Sequence, residues 1–300
     1  MRRMTKHINL TSLEKSHTEI KAESPHSAKI ELNGYEGKIL IEPDKVLYGK
    51  LDNFIENGSI VPLPQWLVVQ SKILAPVKFV CKEPPGPIDL VGELPLQDGQ
   101  GLEAAFTIIK EGMVHAGALK KGVSEARPYL SKGSYSEYNQ ISVKGAEELI
   151  EGMLKARNYE VTYKAQEWTI ALNTALYFQK IRIFLDEGLQ CVRLNTKLID
   201  LKGESSLQKL AMAAFLLHAA ARLRFVRACL NLDENSEQEV IALEVVLPWK
   251  CLKIFKPEIA LESLIVATRY TKLPCEALLQ KQVAERYLQN WCGETWVNSN

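Results

Sequence analysis

One cadence occurs twice in this chain, and it constrains the fold more than any other feature. In the first occurrence Val77-Lys78-Phe79-Val80 leads through a proline-rich turn to Ile88-Asp89-Leu90-Val91-Gly92-Glu93-Leu94-Pro95, and a helix opens near Leu102-Glu103-Ala104-Ala105-Phe106. In the second, Leu223-Arg224-Phe225-Val226 leads through a polar turn to Val240-Ile241-Ala242-Leu243-Glu244-Val245-Val246-Leu247-Pro248, and a helix opens near Ile259-Ala260-Leu261-Glu262. Prolines and glycines cannot continue a ladder, so each unit reads as strand, turn, strand, helix. A sheet with helices on one side has a face to cover, and two such units can cover each other. The expectation is an α+β protein of two related domains, each an antiparallel β-sheet packed against α-helices. A chain of 300 residues suits two cores better than one.

The remaining segments fill in this scheme. Residues 1–28 are polar and charged with little periodicity, and read as a mobile arm with a short helix at its centre. The first domain is assigned to 29–119. In it, Lys38-Ile39-Leu40-Ile41 and Val46-Leu47-Tyr48 flank a Pro-Asp turn, and a helix is predicted over 64–74. Leu102, Ala105, Phe106, Ile109 and Met113 recur at helical spacing. Residues 120–140 turn to Lys, Gly, Ser and Tyr and form the linker.

The second domain takes 141–300. Ser142 caps a helix to Arg157 whose buried stripe is Leu149, Ile150, Met153 and Leu154. Alternation then predicts three strands, over Trp168–Leu176, Ile181–Leu185 and Val192–Leu198. Ser205 to Arg222 is the clearest helix, apolar around most of its surface and therefore central. Strands over Arg224–Leu230 and Val240–Leu247 follow, then a helix over Glu258–Tyr270. Pro274 interrupts, and a C-terminal helix runs to about Asn290.

Composition excludes several classes. Lys and Arg total 37 against 36 Asp and Glu, and a net charge of +1 argues against broad capture of nucleic acid or anionic membrane. No apolar run reaches the roughly 18–20 residues of a bilayer span, and Met1 to Glu23 lacks the apolar core of a signal peptide. A cytoplasmic protein is expected. The six cysteines form no C-x-x-C pair, and several sit in apolar runs, as reduced, buried thiols do.

No catalytic, metal-binding or cofactor-binding constellation is legible. His7, His17 and His26 fall in the arm, His115 near a helix end and His218 on the apolar helix. They show neither metal-ligand spacing nor the partners of a nucleophile. Gly99-Gln100-Gly101 opens a helix without the phosphate-loop or dinucleotide pattern. Lys209, Arg222, Arg224 and Arg227 read as a solvated basic face, with contact to an acidic partner as the other reading. Lys180, Arg182, Phe184, Arg193 and Lys197 alternate onto the outward side of their strands, an amphipathic sheet face suited to binding a partner.

The order of elements from about Ser142 to Leu279, with the Phe-Val and Leu-Pro cadence, resembles the type III secretion chaperone fold shared with the YbjN family. That fold runs helix, three antiparallel strands, helix, two strands, helix; residues 30–119 are a degenerate match. The resemblance implies a non-enzymatic protein that holds a partner polypeptide against apolar surface. It also implies an internal pseudo-dimer or a homodimer. Two other readings stay open: an enzyme with a site in the cleft between the halves, and a nucleic-acid binder using a basic sheet face.

Overall fold

The computed structural model describes residues 9–56, 63–73, 75–82, 86–96, 101–121, 142–164, 166–173, 178–187, 190–233, 238–249, 252 and 255–292. The first half runs α1 (Thr11–Glu14), β1 (Ile20–Ser24), β2 (Ser27–Leu32), β3 (Tyr35–Ile41), β4 (Val46–Ile55), α2 (Leu63–Ser71), β5 (Val77–Cys81), β6 (Ile88–Pro95) and α3 (Leu102–Lys120). The second runs α4 (Val143–Ala156), β7 (Val161–Lys164), β8 (Glu167–Asn173), β9 (Phe178–Asp186), β10 (Cys191–Asp200), α5 (Ser206–Ala219), β11 (Arg227–Asp233), β12 (Gln238–Pro248) and α6 (Pro257–Ala277). A last helix, α7 (Lys281–Cys292), has no counterpart among the described residues of the first half.

Each half builds one six-stranded sheet, in the orders β1-β2-β3-β4-β6-β5 and β7-β8-β9-β10-β12-β11. Every pairing in both is antiparallel. The two halves therefore share element order and sheet order throughout, and the chain is an α+β protein of two like halves. Four strands, rather than three, precede the central helix of each half. The extra strand in the second half is β7.

The N-terminal segment corrects the expectation of a mobile arm over 1–28. Residues 1–8 lie outside the described part, but α1, β1 and the start of β2 are folded. Leu10, Leu13, Ile20 and Ala28 are buried in the core. Four apolar residues spread over a polar stretch show no period in sequence, yet β1 needs only its alternate side chains covered. Of the predicted linker over 120–140, Lys120 ends α3 and Lys121 caps it, and 122–140 lie outside the described residues.

Local chemistry explains most element ends. Ser142 Oγ accepts from Gly145 N–H at 3.1 Å, and Asn158 just past α4 adopts φ 52°. Ser205 and Gln208 close a capping box at the start of α5. Pro274 does not interrupt its helix: it sits late in α6, where a missing N–H removes one bond and Leu278 N–H still reaches its carbonyl. Leu149 corrects the predicted α4 stripe, being 42% exposed while Ile150, Met153 and Leu154 are buried. In sheet one, α3 lies close on β4 and β6 because Gly92 and Gly112 leave room. A Cβ at Gly92 would stand 2.6 Å from Ile109 Cγ2, and one at Gly112 2.5 Å from the Ala75 Cβ.

The halves cover each other reciprocally. α2 packs mainly on β11, α5 packs on β5, α2 and α5 touch, and β5 and β11 approach one another as the end strands of their sheets. One continuous apolar core results. Gln70 of α2 donates to the Ala228 carbonyl of β11 and accepts from Phe79 N–H of β5. His218 of α5 meets the Cys81 carbonyl of β5 through Nδ1 at 3.2 Å.

Charged side chains repeat the exchange. Lys78 of β5 pairs with Glu93 at 2.8 Å and donates to the Leu223 carbonyl ahead of β11. Arg227 of β11 pairs with Glu244 at 2.8 Å and donates to the Ala75 carbonyl ahead of β5. The partner of Lys78 in the repeat is thus Arg227, not the Arg224 of the sequence cadence. Arg224 and Phe225 precede β11, with Phe225 at φ 60° packed on Phe255.

Candidate functional site

The five residues expected to form a binding face do share one side of the second sheet. The β9–β10 register sets Phe184 opposite Arg193 and Arg182 opposite Asn195. Lys180, Arg182 and Lys197 are exposed, and Phe184 is half-buried among them. Arg193 corrects the expectation: its guanidinium is tied to buried Glu244 at 3.1 Å and belongs to the joint between the halves. Lys197 pairs with Asp200 at 2.9 Å, and Arg182 Nε donates to Asn195 Oδ1 at 3.2 Å. Lys180 and Arg182 stay exposed on this face, with Phe184 half-buried between them.

The predicted basic surface of Lys209, Arg222, Arg224 and Arg227 is not a patch. Arg227 is 2% exposed and held by Glu244, Arg224 pairs with Glu42, and Lys209 pairs with Glu239. These cations meet acids from neighbouring elements that the local sequence does not show. His115 also differs from expectation. It is itself buried within α3, so burial first and Arg227 second hold its pKa below the usual histidine value. Its Nε2 has no hydrogen-bond partner among the described residues. His17 is held in the fold, with Nε2 2.6 Å from Glu103 Oε1.

The four described thiols are buried and poor nucleophiles. Burial pushes Cys191 up to about 11 and Cys275 up to about 12, and raises Cys81 and Cys229 as well. Among the described residues, no three His, Cys, Asp or Glu side chains gather as metal ligands. Nor is any described helix long and apolar enough to cross a membrane.

An unpredicted feature stands at the far end of the second sheet. β7 is a sheet edge, exposed at all four residues, and pairs only with β8 among the described strands. Val161 sits opposite Ile170 and Tyr163 opposite Trp168, so both face the helix side of the sheet. Tyr163 and Trp168 rings lie 4.8 Å apart. Beside them an open cleft of about 620 Å³ is lined by Leu154, Tyr159, Val161 and Trp168, with Glu151, Lys155 and Asn158 at its rim. Val161 is 37% and Tyr163 52% exposed, and Phe178 at the start of β9 is 64% exposed. A free strand edge beside an apolar cleft provides both backbone hydrogen bonds and side-chain pockets. The sequence signal was short: Val161-Thr162-Tyr163 is strand-forming chemistry, but four exposed residues carry no burial pattern.

This chain matches no known protein family, curated protein or solved structure.

Proposed function

We propose that the protein is a non-catalytic polypeptide-binding module, chaperone-like or adaptor-like, which holds an extended partner segment along β7. The observation that carries this reading is the edge strand itself, exposed along its length, with Val161 lining the cleft beside Trp168 and Tyr163 packed on the Trp168 ring. A guest strand would add to the sheet through its backbone. Its alternate apolar side chains would enter the cleft, and its other face would run toward Lys164, Arg182 and Phe184. Apart from the added strand β7, the order of elements in the second half resembles the secretion-chaperone and YbjN fold and supports the same reading. So does the joint between the halves, where packed side chains occupy the place a catalytic cleft would need. Buried, high-pKa thiols suit a reducing cytoplasm.

The test is a library of synthetic ten-residue peptides panned on the full chain carrying a photo-crosslinker at position 163, with position 29 as control. Retained peptides are expected to alternate apolar and polar residues and to crosslink at 163. Val161→Lys with Tyr163→Lys is expected to weaken their binding by at least about tenfold while the far-ultraviolet spectrum stays unchanged. Peptides without alternation, or binding indifferent to the double substitution, would refute the proposal.

A further inference from the structure

The outer face of the first sheet carries two straight rows of opposite charge. Lys21 is directly opposite Lys29, Lys29 opposite Lys38, and Lys38 opposite Lys50, so four lysines line up across β1 to β4. Two residues along β2, β3 and β4 stands an acid, Glu31, Glu36 and Asp52, whereas Glu19, just ahead of β1, turns its carboxylate to Lys110 of α3. Glu31 is opposite Glu36, and Glu31 N–H bonds the Glu19 carbonyl. The chain order inverts from strand to strand, as antiparallel strands require: Glu19-x-Lys21, Lys29-x-Glu31, Glu36-x-Lys38, Lys50-x-Asp52. The rows bound an open depression of about 580 Å³ on the side of the sheet away from α3.

Like charges directly opposite on a sheet repel. The β4 end of the rows is quenched within the chain, where Lys50 pairs with Asp52 and Asp89. Lys29 reaches only exposed Glu23, at 3.4 Å. Among the described residues Lys21, Lys38, Glu31 and Glu36 make no ion pair, and Lys21, Lys38, Glu31 and Glu36 are exposed. The fold does not demand this pattern. The row through Arg182 in the second sheet reads Thr162, Thr169, Arg182, Asn195.

We propose that this face is the contact between two copies of the chain. Adjacent strands are about 4.8 Å apart, and rows two residues apart are separated by about 6.6 Å. A half-turn about an axis lying in the face, parallel to the rows and midway between them, lays each lysine row over the other copy's acid row. β2 then meets β2 and β3 meets β3, so Lys29 faces Glu31 and Lys38 faces Glu36 in both directions, the isologous arrangement of a twofold dimer. A polyanion fits less well, because its charge would meet the acid row within a Debye length of the lysines. A net charge of +1 leaves no overall repulsion between copies. The contact is polar and solvated, and the dimer is weak and salt-sensitive.

The test is sedimentation of the full-length protein over a range of concentrations. At an ionic strength of about 20 mM a reversible dimer is expected, weakened at least about tenfold at about 0.5 M salt. Lys29→Glu with Lys38→Glu makes the centre of the face, on β2 and β3, wholly acidic, and Glu31→Lys with Glu36→Lys makes that centre wholly basic. Each variant alone is expected to be monomeric, and an equimolar mixture to form a heterodimer visible by native mass spectrometry. Unchanged circular dichroism and melting temperature establish that both variants fold. A wild type monomeric at low salt overturns the proposal, as does a mixture that stays monomeric or a single variant that still dimerises. A monomeric wild type that binds long-chain polyphosphate also overturns it. Val161→Lys with Tyr163→Lys leaves this dimer intact, so the result is independent of peptide binding at β7.

Discussion

Replacing Glu93 with leucine tests how the halves are joined. Glu93 Oε2 accepts from Lys78 Nζ and from Phe225 N–H, each at 2.8 Å, and Arg224 stands 3.7 Å from Oε1. Glu93→Leu leaves Lys78, 4% exposed, with the Leu223 carbonyl as its remaining partner. Removing one member of a buried pair costs about 3–5 kcal/mol, and so little water reaches Lys78 that about 4 kcal/mol is expected. Lys78→Met leaves Glu93 its amide and the nearby guanidinium, which puts the loss at the lower end, about 3 kcal/mol. The double substitution strands no charge; it orphans the Leu223 carbonyl and the Phe225 N–H, for a total of about 3–4 kcal/mol. The single losses sum to about 7 kcal/mol, so the coupling energy is about 3 kcal/mol. Guanidinium unfolding of the four proteins, followed by circular dichroism and tryptophan fluorescence, measures it. The wild type should unfold in one transition, because a single core runs through both halves. Losses that add to within about 0.5 kcal/mol would refute the claim that this pair acts as a unit at the joint.

Three further outcomes follow from local geometry. Gly92→Ala and Gly112→Ala each force a methyl into a space under 3 Å from Ile109 or Ala75, and each should cost about 1–3 kcal/mol in chemical unfolding. Because burial and Arg227 hold the folded pKa of His115 below its unfolded value, the unfolded chain binds the extra proton. Stability is then full above about pH 6.5 and falls on acidification, by up to about 1.4 kcal/mol per pH unit, and His115→Gln should flatten that limb of the stability–pH curve. Ser205→Ala opens the capping box of α5 and should lower stability by about 0.5–2 kcal/mol, with Ser205→Thr retaining most of it.

Much of the architecture was legible in the chain. The duplicated cadence marks β6 and α3 against β12 and α6, since a strand whose neighbours are covered on both faces reads as an apolar run and a helix over a sheet reads as a stripe, while its first member, Leu223–Val226, falls ahead of β11. Ser142 and Ser205 announce their helices through cap chemistry that acts within three residues. The side of the second sheet that bears Lys180, Arg182 and Phe184 was legible through alternation. The charged residues of the candidate sites were harder to place, because a lysine carries no period of its own. Lys29 and Lys38 acquire meaning only when β2 and β3 pair, and the inverted Glu-x-Lys and Lys-x-Glu order is then visible in retrospect.

Local sequence alone thus decided element type, helix caps and which side of most strands turns inward, because hydrophobic period and capping are short-range. Tertiary structure alone decided that residues 9–28 are folded, that Arg193 and Arg227 share Glu244, and that β7 pairs on one side only among the described strands. Each of those depends on which distant strand or helix arrives alongside. The same lysine is a solvated side chain when alone, a strut when a buried acid meets it, and part of a charged row when three others line up across the sheet.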